Sequence, residues 1–283
     1  MLKYGFKKEW MHFSRTFRFG GVLIAMISMA LANPLMYKFL AWMMEFTGEL
    51  MKDPAMQGTG LEDTNIGALA MVYNDAALVF GGTLMELCGT SLLVIMLVLM
   101  SPFGGEQKKR ATIIPACSGL DNKQYLLPKF ILYPAVIFVA NYICAVIAGF
   151  LCNALFDVNQ VEVSSIFLGA LLCSVYLIFA VCIYMALGLC TNRPGVMVVV
   201  IYFGQSIIQL ILASLDLNRF NPFTLLGLIS GGMFSPNFSL EEEAGSIIVG
   251  AALSIVISVL MYVLTLAVLN AKKVNNQENK PEF

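Results

Sequence analysis

The chain has 283 residues, 59% of them hydrophobic and only 12% charged, with a formal net charge of −1. Water-facing domains carry about 25% charged residues, so this chain has too little charge to cover a soluble surface. Its apolar residues fall in long blocks rather than in strand-like alternation, which excludes a soluble enzyme, a disordered linker and a secreted disulfide scaffold.

Residues 1–19 come first. Phe6, Trp10, Phe13 and Phe17 are spaced 4, 3 and 4, so a helix places them on one narrow face, while Lys8, Arg15 and Arg18 point away from it. Aromatics opposite cations predict an amphipathic helix lying in the membrane interface; the plainer alternative is a basic flank of the first span. Residues 1–32 also imitate a signal peptide ending in Ala30-Leu31-Ala32. The apolar run continues past Pro34 to Met44, however, and the expectation is an uncleaved first span.

A helix needs about 20 mostly apolar residues to cross the hydrocarbon. Six stretches qualify: Gly20–Met44, Ala76–Met100, Phe130–Phe156, Ser164–Cys190, Val196–Ser214 and Ser246–Asn270. The expected fold is all-α and polytopic: a single domain of six transmembrane helices preceded by the interfacial amphipathic helix. Its parts are 1–19, spans one and two within 20–100, a loop at 101–129, spans three to five within 130–214, a broken region at 215–245, span six at 246–270 and a tail at 271–283. The termini and the loops on their side hold 14 of the 17 lysines and arginines, the other three being Lys38, Lys52 and Arg219. The positive-inside bias then puts both termini and the loops on their side in the cytoplasm; the expected location is the plasma membrane.

The loop 101–129 is the most informative stretch outside the spans. Lys108, Lys109 and Arg110 lead to Ser118, and Asp121 three positions later reads as a variant capping box for a short helix carrying Lys123 and Tyr125. Pro128 is expected to bend the chain before span three. Such a helix suits a docking surface; the alternative is a loop resting on lipid headgroups.

Polar residues within the spans are few. Glu86 lies mid-span with Thr83 and Thr90 extending its face and Gly82 and Gly89 beside it. A central acid costs about 2.5–3.5 kcal/mol facing lipid, so Glu86 is expected either on a transport path or in a structural hydrogen bond. Gln205 and Gln209 share a face of span five, lining a path or joining helices. Small-residue stripes, Gly21-Ala25-Ser28-Ala32 and Gly250-Ser254-Ser258, predict close helix seams, within the subunit or between subunits. In the outer region, Pro222 to Met233 is apolar but too short to cross, consistent with a re-entrant or interfacial helix packed through Gly227 and Gly231. The run Glu241–Glu243 reads as a solvated flank.

No catalytic set emerges. The cysteines form no C-x-x-C, six of the seven lying in or at the ends of apolar runs, and His12 is the single histidine; neither a metal site nor a histidine-based triad is expected. The glycine pairs at 81–82, 104–105 and 231–232 are not followed by Gly-Lys-Ser/Thr, so no phosphate loop is present, and no loop offers the ~100 residues of a nucleotide-binding domain. The chain is expected to be no enzyme and to carry no cofactor of its own.

The run Thr112-Ile113-Ile114-Pro115-Ala116-Cys117-Ser118, followed by Tyr125-Leu126-Leu127-Pro128-Lys129-Phe130, resembles the loop between spans two and three of ABC-2 type permeases, the membrane subunits of ATP-driven type-2 exporters. Ile114 stands for that family's leucine, and Pro128 intrudes before Lys129. The opening Lys3-Tyr4-Gly5-Phe6-Lys7-Lys8-Glu9-Trp10 resembles the family's elbow helix. The resemblance implies two six-helix halves, as homo- or heterodimer, each docked through 101–129 on a cytoplasmic P-loop ATPase that holds the ATP and magnesium. It further implies substrate expulsion between spans one, two and five. The lipid bilayer is the other expected partner, and no nucleic acid is. Two rivals stand beside this reading: a stand-alone secondary transporter coupled through Glu86, and a non-transporting scaffold or sensor subunit. An intramembrane hydrolase lacks the histidines and paired acids it would need.

Overall fold

In hydrocarbon every peptide N–H and C=O must be bonded within its own segment or to a protein neighbour, so long apolar runs fold as helices. The computed structural model describes residues 2–51, 74–100, 102, 121–191, 193–215, 222–229, 232–234 and 240–278. Its helices are α1 (Leu2–Arg15), α2 (Arg18–Met51), α3 (Ala76–Cys88), α4 (Thr90–Val98), α5 (Asn122–Leu155), α6 (Val163–Thr191), α7 (Pro194–Ser214), α8 (Thr224–Ile229) and α9 (Leu240–Glu278), with a 3-10 turn at Gly232–Phe234. Six stretches are long and apolar enough to cross a membrane: α2, α3 with α4, α5, α6, α7 and α9. The fold is all-α and has the character of a multi-pass membrane protein. Among the described residues the one extended pairing is the Asp75–Val158 bridge, which clips the start of α3 to the link between α5 and α6.

α6 is the central helix. Two-thirds of its most apolar stretch (67%) is buried inside the protein, against 11% in α7 and α9. Two apolar clusters wrap it, one at the end nearer α1 (Phe13, Met26, Leu92, Tyr133, Tyr184) and one at the far end (Phe80, Leu84, Phe156, Ile166, Leu225). Between them a polar node joins three spans. Asn141 Nδ2 of α5 donates to Ser174 Oγ (3.1 Å) and Cys173 Sγ (3.3 Å) of α6, and the Cys173 and Cys88 sulfurs lie 3.2 Å apart.

Several boundaries differ from the sequence reading, each for a local reason. The separate short helix before Pro128 is not formed: α5 runs unbroken from Asn122 through Pro128 and Pro134. Its cap is Asp121, whose carboxylate accepts the Asn122 N–H at 2.8 Å; Ser118 lies outside the described residues. Pro128 withdraws a single helical hydrogen bond, the one to the Gln124 carbonyl, and Gly5 of α1 packs onto that spot within 3.1–3.2 Å of an added Cβ. The second span, by contrast, is broken at Gly89, whose φ of −100° and ψ of −83° separate α3 from α4. α9 begins at Leu240, so Glu241–Glu243 sit in its first turn, where a helix N-terminus favours acids, and it continues to Glu278 through most of the expected tail.

The two small-residue stripes part company. Gly250 and Ser254 of α9 are buried, so that seam works within the subunit. On α2, Gly21 and Ala25 pack inward but Ser28 and Ala32 are exposed, and the buried row is instead Val22, Met26, Ala30 and Asn33. The closest backbone approach is at Gly149, where an added Cβ would meet Ile166 Cγ2 at 2.5 Å and Phe80 at 3.1 Å. Gly149→Val is expected to lower stability in detergent by about 1–3 kcal/mol through overpacking. Gly204→Ala, where a Cβ meets nothing within 4 Å, should leave thermal unfolding unchanged or raise its midpoint.

Candidate functional site

α1 reaches the bundle by an i, i+4 row made of Gly5, Glu9 and Phe13. Gly5 lets the backbone approach α5 at Pro128 and Gln124. Phe13 is fully buried, edge-on to Tyr133 (ring centroids 5.0 Å) and to Phe19 (5.7 Å). Glu9 sits between them, 3% exposed, and is the unexpected member of a buried face.

A buried carboxylate requires a partner, and Glu9 has two on α5. Its Oε2 lies 3.4 Å from Lys129 Nζ and accepts the Tyr133 hydroxyl at 3.3 Å. Lys129 is itself 0% exposed. Its ammonium also donates to the Pro102 carbonyl (3.1 Å) and lies 4.9 Å over the Tyr125 ring, a cation–π contact. One side chain therefore ties together α1, the chain just past α4 and the first turns of α5. Pro102, held by Lys129, and Asp121, the cap of α5, are the described residues on either side of 103–120.

The expected docking residues divide accordingly. Lys108, Lys109, Arg110 and Ser118 lie outside the described residues. Asp121 caps α5, Lys123 just after it is exposed, and Tyr125 is half-buried beneath Lys129.

The interfacial helix exists as α1, but its four aromatics do not act as one face. Phe13 is buried and Phe6 half-buried, Trp10 is exposed, and Phe17 lies beyond the end of the helix and is 82% exposed. Thr16 and Phe17 form the corner between α1 and α2, where Arg18 reaches back to His12 Nδ1 at 2.9 Å. The helix wheel held for Lys8 and Arg15, both exposed, and failed for Phe17 because the helix ends at Arg15.

The candidate pathway residues separate into local pairs. Thr83 is buried; it donates to the Val79 carbonyl (2.8 Å) and accepts from Asn33 of α2 (3.3 Å). Glu86 faces outward and accepts a hydrogen bond from Thr90, the two flanking the Gly89 break. Gln205 accepts from the Tyr176 hydroxyl of α6 at 3.1 Å, while Gln209 is half-buried on α7. Gly82 does permit a close approach, to Tyr37 of α2, whereas Gly89 ends a helix instead.

The broken outer region goes deeper than a surface cap. Phe223 packs against Tyr176 and Phe179, at the middle of α6, about 24 Å along that helix from Val163 at 1.5 Å per residue. α8 and the 3-10 turn then pack on α3, where the Ile229 carbonyl and Phe234 ring abut Gly81. This short segment is seated on Gly81 of α3. The expected Gly227 packing face is not used, since an added Cβ there meets nothing, and Gly231 lies outside the described residues.

The residues missed by sequence reasoning are Glu9, Tyr133 and Asn141. For Glu9 a signal was present: with Gly5 and Phe13 it forms a second i, i+4 row beside the aromatic one. Comparison with known protein families, with curated proteins and with solved structures finds no match.

Removing one partner of a buried ion pair leaves the other charge uncompensated, at about 3–5 kcal/mol. Lys129→Met or Glu9→Met alone should therefore lower stability by that order, while the double variant Glu9→Met, Lys129→Met recovers much of the loss. Thermal unfolding of the four proteins in one detergent checks this; additive single effects would show that the pair is not coupled.

Proposed function

We propose that this chain is the membrane permease subunit of an ATP-driven exporter of the ABC-2 type. It would lie in the plasma membrane with both termini in the cytoplasm, paired with a second permease subunit and powered by separate P-loop ATPase subunits. The observation that carries this reading is the convergence at Lys129. A motor pressing on segment 103–120 pulls on both its ends, at Pro102 and at the Asp121 cap of α5, and Lys129 passes that pull to α1 through Glu9. A rigid α5 that includes Asp121–Lys129 moves with the loop instead of hinging at Pro128. The Gly89 break beside α2 and α7 supplies a place where the second span can bend as the halves rearrange. The substrate-facing role falls to α2, α3 with α4, and α7.

A second reading is favoured by one observation: an exposed acid, Glu86, beside a helix break at mid-span is the arrangement of many secondary transporters. In that case the chain works alone and Glu86 carries a proton.

Affinity purification from its native membrane separates the two. The exporter reading expects a P-loop ATPase at comparable stoichiometry, lost when residues 108–120 are replaced by a Gly-Ser linker of equal length while the chain still inserts. Recovery of the chain without any ATPase, together with proton uptake by vesicles holding it alone that Glu86→Gln abolishes, would establish the second reading instead.

A further inference from the structure

We infer that the groove between α5, α6 and α9 is a binding site for one acyl chain of an anionic phospholipid, drawn from the leaflet on the side of the chain termini. α5 and α9 splay apart over α6 and leave a cleft of about 450 Å³. That volume is in the range of sites that hold small ligands, about 300–1,000 Å³. Its walls are apolar, Phe130, Pro134 and Phe138 on α5 facing Ile178 on α6 and Val259 and Tyr262 on α9. The two serines in it have their hydroxyl protons committed to their own helix: Ser254 donates to the Gly250 carbonyl and Ser258 to the Ser254 carbonyl, at 2.8 and 2.7 Å.

The cleft opens sideways, because its rim residues Ile131, Ile255 and Val259 are 49%, 61% and 58% exposed. An apolar void at this depth loses dispersion contacts on every lining atom, and in a bilayer the filler at hand is hydrocarbon. The polar end of the guest is placed by the other features. At the terminal end the cleft narrows where Phe130 meets Tyr262 (5.4 Å), and Asn122 Nδ2 donates to Asn270 Oδ1 (2.8 Å) to close α5 onto α9. Lys123 is exposed next to that closure and lies on the same stripe of α5 as Leu127, Phe130 and Pro134, at spacings of 4, 3 and 4. The sequence adds Lys272 and Lys273 just beyond Asn270 on α9. A chain lying along the cleft thus brings its headgroup to a basic end, which selects a phosphate-bearing lipid of net negative charge. This site is separate from the Glu86 and Gln205 faces and does not depend on the transport reading.

The test uses the full chain in phosphatidylcholine vesicles doped with phosphatidylglycerol whose acyl chain carries a photoreactive diazirine, with cross-links mapped by mass spectrometry. Cross-links at Ile131, Pro134 and Val259 are expected to saturate at low probe fraction and to be displaced by unlabelled phosphatidylglycerol better than by phosphatidylcholine. Phe203 on the exposed face of α7 serves as the reference for bulk lipid. Lys123→Glu should cut the preference for phosphatidylglycerol by at least about fivefold, the worth of one lost surface cation before the added acid's repulsion is counted. Val259→Trp should suppress the groove cross-links and leave Phe203 unchanged; the surface variant Lys123→Glu keeps the test decisive if the tryptophan misfolds. Groove labelling that merely follows bulk composition, as at Phe203, would overturn the inference. So would a groove closed to probe but cross-linked to a second copy of the chain.

Discussion

An ammonium group with no access to water has to be surrounded by acceptors, and at the base of the third span Lys129 is: a carboxylate, a peptide carbonyl and an aromatic face converge on it. That constraint organises the terminal side of the protein. Because the carboxylate belongs to Glu9, α1 cannot rest on the membrane in arbitrary register; it must present Gly5, Glu9 and Phe13 to α5. Because the carbonyl belongs to Pro102, the chain just past α4 is held against α5. Because Tyr125 and Tyr133 lie on the same helix as Lys129, that helix has to stay regular through Pro128. Such a pair adds little net stability over an apolar packing of equal volume, but it makes one arrangement far better than its neighbours.

The middle of the bundle follows the same logic with weaker groups. Asn141, Ser174, Cys173 and Cys88 hold spans two, three and four together at a depth where water is absent. The segment 222–234 fills the far side against Gly81 and Phe179, which leaves α6 enclosed from both ends. The periphery is less enclosed: 11% of the most apolar stretch of α7 and of α9 is buried, and the second span is interrupted at Gly89.

How far these features were legible depended on whether one residue or several elements decided them. The six spans, α1 and a short helix within Pro222–Met233 were readable because each follows from local hydrophobicity and periodicity. Pro128 looked like a breaker because its cost to a helix is intrinsic, yet the lost bond sits near a helix start and Gly5 covers it, a contact from 123 residues away in sequence. Gly89 looked like a packing glycine and is a break. The α2 stripe looked uniform and is split, because the helix turns a different row, Val22 to Asn33, toward its neighbours. For Glu86 two placements were open, a path or a structural hydrogen bond, and the structure shows it exposed and bonded to Thr90 one turn on.

From its residues alone, this chain was bound to be a bundle of six apolar helices with its cations on the side of the termini, since hydrocarbon tolerates only internally bonded backbone and little charge. Which faces of those helices meet was settled by the tertiary structure: the partnering of Glu9 with Lys129, the groove beside Lys123, the depth reached by Phe223. Nearly every position in the spans is apolar, so hydropathy hardly distinguishes inward from outward. In a bilayer that choice passes to the fit of small residues and the few polar groups that have to find each other.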